Sequence, residues 1–155
     1  MKAKLFFMIL LVMTLGCKKS SDDTMDNEKI KTQVKEVVNT LFSGCEQVNA
    51  NTVLSTIYES ADFVYVFNGT TKNYQQFSTA LSGVYDLMTG QEINLVSEKF
   101  AVIDENTVIY TTNLTFLQHY NDGSSNTIDP AVMMLIFRKT ENTWKWVSGV
   151  ESYGS

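Results

Sequence analysis

The second half of the chain reads as four long strands, roughly 92–103, 107–120, 128–139 and 143–153, with very little between them. Their connections are Asp104-Glu105-Asn106, Asn121-Asp122-Gly123 and Thr140-Glu141-Asn142, all short and turn-forming. Links of this kind leave no room for a crossover, so neighbouring strands should pair antiparallel. A meander this long has to bury one face, and the first half of the chain must supply the cover.

That first half has a different hydrophobic period. Ile30, Val34, Val37, Val38, Leu41, Phe42 and Cys45 fall at helical spacing and form one apolar stripe. Asp26 stands where a cap and a favourable dipole partner belong, so a first helix is predicted from near Asp26 to about Val48. A polar break, Asn49-Ala50-Asn51, leads to a second helical cluster of Val53, Leu54, Ile57 and Tyr58. Asp62 to Phe67 then alternates, is rich in aromatic and β-branched residues and runs into Asn68-Gly69, which predicts a strand closing in a hairpin. From Asn73 the helical period returns, with Phe77, Leu81, Val84 and Met88 on one face and Gly90 as a stop. Three helices followed by a meander put all the helical apolar faces on one side of one sheet, which is an α+β domain.

The N-terminus carries an address. Lys2 and Lys4 precede an eleven-residue apolar run from Leu5 to Leu15, with Gly16 before Cys17. This is the layout of a cleavable signal peptide, residues 1–16, and it is shorter than the roughly 18 to 20 apolar residues that span a membrane. Met13-Thr14-Leu15-Gly16-Cys17 resembles a bacterial lipobox, in which the cysteine becomes the acylated N-terminus, although Thr14 replaces the usual leucine. Acylation of Cys17 would anchor the protein to the bacterial outer membrane, since several acyl chains hold where one binds only marginally. Ordinary cleavage, with Cys17 a plain thiol, is the alternative. Residues 17–27 read as lipid attachment and polar tether. Ser21-Asp22-Asp23 resembles the acidic signals that send some lipoproteins to the cell surface, against a periplasmic-facing anchor.

Removing the first sixteen residues, two of them lysines, leaves 139 residues with 10 basic and 17 acidic side chains, a formal charge of −7. That is one domain, residues 28–155, and it has no basic stripe for phosphates, which disfavours nucleic acid as a partner. With Cys17 acylated, Cys45 has no disulfide partner, and its place on the apolar stripe predicts a packed, unreactive thiol.

The order of these elements resembles the nuclear transport factor 2-like superfamily, particularly its polyketide-cyclase-like (SnoaL-like) and secreted branches, over about Glu28 to Ser155. The residues that carry the resemblance are the Val48-Asn49-Ala50-Asn51 break, Tyr58 ahead of Asp62-Phe63-Val64, Gly69 before the third helix, and the closing Trp144-Lys145-Trp146-Val147 strand. Two departures bear on function: Asn51 stands where relatives often have aspartate, and the last strand lacks the histidine that many show near its end. The resemblance implies a cone whose bent sheet wraps the first helix and leaves a pocket at its wide end. Enzymes of this family place an aspartate, histidine or tyrosine there for proton transfer, while other members bind ligands or dimerise, so the fold does not choose the function.

The residues must therefore be weighed one by one. On its strand, His119 shares parity with Thr111, Asn113 and Thr115, opposite to Val108, Tyr110, Leu114 and Phe116, and so points away from the helices. Asp62 opposes Phe63, Tyr65 and Phe67, and Glu151 opposes Trp144, Trp146 and Val150, which turns both carboxylates outward unless a bulge reverses the register. These three are the weak catalytic candidates. No glycine-rich phosphate loop, serine elbow or metal-ligand cluster is present, so no cofactor is expected. The presumed pocket is lined by Tyr58, Phe63, Tyr65, Tyr110, Phe116, Met134, Trp144 and Trp146, a set that suits a flat apolar or amphipathic ligand and equally suits a filled core.

Ala131 to Phe137 is apolar at all seven positions, so both faces of that strand want burial. Assigning Met133, Leu135 and Phe137 to the outer face predicts a hydrophobic patch and a homodimer, with Thr111, Thr115 and His119 near its rim. Three functions stay open: a lipid-anchored binder of a small apolar molecule, an association module with a filled core, and a cofactor-free isomerase or dehydratase-like enzyme. The last requires His119, Asp62 or Glu151 inside the cavity with a hydrogen-bond partner.

Overall fold

In the computed structural model, which describes residues 21–154, the apolar stripe of the first half lies along one helix, α1 (Ser21–Glu46). Val34, Val38 and Leu41 are buried on it, and Ile30, Val37, Phe42 and Cys45 pack beside them. The helix reaches back to Ser21, into the stretch read as tether, because no proline or glycine interrupts the chain before Gly44. The signal peptide and Cys17 lie outside the described residues. Val48, at φ 46°, turns the chain, and Asn49 caps the short α2 (Ala50–Ser55) by accepting from the Thr52 amide at 3.1 Å. Asn73 opens α3 (Tyr74–Tyr85) with a capping box: its side chain accepts from the Gln76 amide, and the Gln76 side chain accepts from its own. This helix ends at Asp86, ahead of the predicted stop. Gly90 sits instead inside a strand, at a shift in register, and Met88 is a strand residue.

The helices cover one face of an open six-stranded mixed sheet. Its strands are β1 (Val64–Phe67), β2 (Thr70–Lys72), β3 (Met88–Asp104), β4 (Thr107–Tyr120), β5 (Ser125–Thr140) and β6 (Thr143–Tyr153), in the spatial order β2-β1-β6-β5-β4-β3. β3 to β6 form the expected meander, and Asn68-Gly69 makes the expected hairpin between β1 and β2. The sequence gives no sign of one pairing: β1 runs parallel to β6, with Tyr65 opposite Gly149 and Phe67 opposite Glu151. Short turns predict only neighbours in sequence, whereas this pair closes across most of the domain.

Two parities differ from expectation. On β5, Met133, Leu135 and Phe137 are the inward residues, at 8%, 0% and 0% exposure, while Val132 and Met134 face outward at 46% and 40%. An unbroken apolar run has no alternation to read. Pairing settles it, since Leu135 lies opposite Tyr110 and Phe137 opposite Val108, both fully buried, and directly opposed residues share a face. The face left outward carries Val132, Met134 and Val150 in place of Met133, Leu135 and Phe137, with Thr111 and Thr115 on the same side of β4. On β6 the register slips between Trp146, opposite Phe137, and Ser148, opposite Ile136. Val147 is the extra residue of a bulge, so Trp144 and Trp146 point inward before it and Gly149, Glu151 and Tyr153 after it.

Gly44 marks the closest approach of α1 to α2. A Cβ there would stand 2.9 Å from the Val53 backbone nitrogen and 3.0 Å from Thr52 Cγ2. Alanine ordinarily favours a helix over glycine by about 1 kcal/mol, but overpacking costs about 1–3 kcal/mol. Gly44→Ala is therefore expected to lower the urea midpoint, with a net loss of up to about 2 kcal/mol. An unchanged or higher midpoint would show that the two helices can part.

Candidate functional site

Between α1, α3 and the inward face of the sheet lies a cavity of about 360 Å³, at the small end of the roughly 300–1,000 Å³ range of ligand sites. Leu41, Phe42 and Cys45 reach it from α1, and Phe77, Ala80, Leu81, Val84 and Tyr85 from α3. The sheet contributes Tyr65, Phe67, Ile93, Phe116, Met133 and Trp146 as its apolar wall, and Lys72, Gln91, Gln118, Glu151 and Tyr153 as polar groups. Trp146 is gripped by Phe63, Tyr65 and Phe77, with ring centroids at 5.6, 5.4 and 5.4 Å and planes 70° to 84° apart. Such edge-to-face contacts fix an aromatic wall more firmly than burial alone.

Glu151 is the carboxylate on this wall. The Tyr65 hydroxyl donates to its Oε2, and the Tyr153 phenol lies against it. Burial among apolar side chains pushes the Glu151 carboxyl above its ordinary value of 4.5, and the two phenols offset part of that push. Burial also raises both phenols, and the nearby carboxylate adds to the effect. On the α1 side, burial pushes the Cys45 thiol up to about 12, beside the Tyr85 hydroxyl, so the thiolate nucleophile does not form near neutral pH. Among the described residues no group of three or more histidines, cysteines or carboxylates could hold a metal ion.

Of the residues expected to line the pocket, Tyr65, Phe116 and Trp146 do so. Phe63, Tyr110 and Trp144 are buried in the core outside the cavity wall, Tyr110 donating to Glu98 Oε2 at 3.1 Å and Trp144 Nε1 to Gln33 Oε1 at 3.1 Å. Tyr58 and Met134 face outward, at 41% and 40% exposure. For Tyr58, the preceding Ile57 takes the inward place as α2 ends; for Met134, the β5 parity is the reason. Asp62 is exposed, and His119 points outward toward Glu92, with Nε2 to Oε1 at 3.3 Å. Glu151 reverses its predicted orientation, because the Val147 bulge brings it inside. Met133 enters the wall with the same β5 correction, and Gln118 was legible as the residue sharing parity with Phe116.

No protein-family model and no curated protein matches the chain. Solved structures do. A candidate scytalone dehydratase from Novosphingobium aromaticivorans superposes with a TM-score of 0.75 at 9% identity, over 85% of this chain and 89% of that one. A nuclear transport factor 2-like superfamily protein from Salmonella enterica superposes at 0.74 and 12% identity, over 83% and 94%. A nuclear transport factor 2-like protein from Rhodospirillum rubrum, described as of unknown function in nutrient uptake, superposes at 0.66 and 17% identity, over 79% and 98%. The chain thus has the nuclear transport factor 2-like fold, one shared by ligand-binding proteins and by dehydratases and isomerases.

The raised Glu151 carboxyl makes stability depend on pH in a defined sense. The folded state keeps a proton that the unfolded state releases, so stability falls as pH rises from about 4.5 through the higher folded value. Glu151→Gln keeps an acceptor for Tyr65 and cannot ionise. Its melting temperature should fall less than the parent's as pH rises above about 4.5, and parallel curves would show that the carboxyl is not desolvated.

Proposed function

We propose that the chain is a lipid-anchored binding module of the bacterial cell envelope whose cavity takes a small, largely apolar molecule. The carrying observation is the cavity itself: about 360 Å³ walled by rings and aliphatic side chains, with a few polar groups on one side. A filled core would leave no such space, and burial of apolar ligand surface is the driving force that this wall offers. Ligand binding to the folded state raises the melting temperature by mass action. Small aromatic probes such as indole and 2-naphthol should therefore raise it by several degrees at millimolar concentration. Ala80→Phe, which puts a ring into the cavity, should abolish the shift. Equal shifts in parent and variant would place binding elsewhere.

One observation favours a second reading, proton-transfer catalysis: Glu151 stands inside the cavity with Tyr65 as partner. A carboxyl whose proton is held up by desolvation is suited to general acid–base work. In the same titrations, conversion of a bound probe by the parent but not by Glu151→Gln would select this reading, and unchanged probe the binding one.

The anchoring rests on the Lys2 to Cys17 segment and its likeness to a lipobox. Among the described residues no helix is long and apolar enough to cross a membrane. In a Gram-negative host fed an alkyne fatty acid, the protein should take up label and sediment with outer membranes. Cys17→Ser should lose both properties, and retained label would place the lipid on another residue.

A further inference from the structure

Among the described residues the cavity wall carries one acid and one base, Glu151 on β6 and Lys72 on β2. No ion pair joins them. Lys72 lies opposite Tyr65, and Tyr65 opposite Gly149, so the three strands form one row with the tyrosine in its middle. Glu151 stands two residues beyond Gly149. Two strand spacings and two residue rises put the backbones of Lys72 and Glu151 roughly 12 Å apart. A molecule in the cavity can therefore meet the base without displacing what surrounds the acid.

The acid is already provided for. Tyr65 donates to it, Tyr153 lies against it, and burial holds its proton above the ordinary carboxylate range. The base is not. Lys72 is half-buried, yet none of the ion pairs among the described residues includes it. Lys35, buried to a like degree, shows the ordinary arrangement, its Nζ lying 2.6 Å from Glu98 Oε2. An ammonium offers three donors and no acceptor, and beside an apolar space it draws a counter-charge more strongly than in open water. The unmatched charge at this cavity is thus positive, and a neutral ligand would leave it so.

Position sets the orientation of an anionic ligand. β2 is the edge strand of the sheet, and Lys72 is its residue on the cavity wall. Ile93, Phe116 and Met133 come from β3, β4 and β5, on the far side of Glu151. A charged head at the edge stays close to water, while the body runs inward past Tyr65, Phe77 and Trp146. One lysine, with no arginine among the lining residues, suits a single charge, whereas phosphate groups are commonly gripped by several donors.

We propose that the cavity takes an amphipathic carboxylate, its negative head against the Lys72 ammonium at the β2 edge and its apolar body against the inner rings. This rests on the binding reading given above and specifies its ligand class. An anion entering the cavity also favours the protonated form of Glu151, since like charge raises a carboxyl's proton affinity.

Phenylacetate, phenylacetamide and phenethylamine share an apolar body and differ in charge. Each is titrated into protein carrying ¹³C-labelled methyl groups, where Leu81, Val84 and Ile93 report on the cavity. Phenylacetate should bind about five- to tenfold more tightly than the amide, as for one partly buried charge-assisted contact, and phenethylamine most weakly. Lys72→Met keeps the apolar stem and removes the charge. It should bring the acid's affinity down to the amide's and leave the amide's unchanged, while Lys72→Arg should retain the preference. The residue is half-buried on an edge strand, so both variants should melt near the parent temperature. Should either fail to fold, the three titrations of the parent still decide the charge preference. Equal affinities for acid and amide, or a preference that survives Lys72→Met, overturn the inference and leave the binding reading standing. Tightest binding of phenethylamine also overturns it, and gives the selectivity to an ionised Glu151. If no probe moves the reporting methyls, the binding reading falls too.

Discussion

The site depends on a slip of one residue in the pairing of β6 with β5. Side chains on a strand alternate between faces, so one extra residue exchanges the faces for everything beyond it. Before Val147 the inward positions are Trp144 and Trp146; after it they are Gly149, Glu151 and Tyr153. Without the bulge, Ser148 and Val150 would line the cavity and Glu151 would stand in water. The same slip sets the bare strand of Gly149 against the indole of Trp146 and turns Glu151 inward, so the two share one local cause.

The rest of the domain holds that strand in place. Phe63 precedes β1, Tyr65 lies on it and Phe77 on α3, and their rings close on Trp146 from different parts of the chain. β1 adds its parallel pairing with residues 148–151, directly beyond the bulge. α1 covers the wall from the other side, and its apolar stripe desolvates both the Cys45 thiol and the cavity. The apolar surroundings that wall the cavity are thus also what raises the Glu151 carboxyl.

Much of the fold was legible because it is encoded locally. Helical spacing located α1, Asn73 located the start of α3, and the turns of the meander located β4, β5 and β6 to within a few residues. The fold neighbours, at 9% to 17% identity, show how little residue identity such patterns need. What escaped was not local. The parallel β1–β6 pair has no turn to announce it, and the seven apolar residues from Ala131 have no alternation from which to read a face. The bulge at Val147 needs the partner strand to be seen, which is why Glu151 was placed outside and Met134 inside. His119 lies on a stretch where alternation is clean and keeps the orientation that its parity gives, while Asp62 is exposed in the turn ahead of β1, which begins at Val64 and not at Asp62.

The parallel pair also joins the two ends of the domain. Tyr65 meets Gly149, and Phe67 meets Glu151, across more than eighty intervening residues, a loop whose closure is entropically slow. β6 lies between β1 and β5 in the sheet, so without it the cavity lacks the wall that carries Trp146 and Glu151. That strand is held by its pairings with both β1 and β5. The cavity wall is therefore complete only where the two ends of the domain have met, so its integrity reports on the longest-range pairing in the fold.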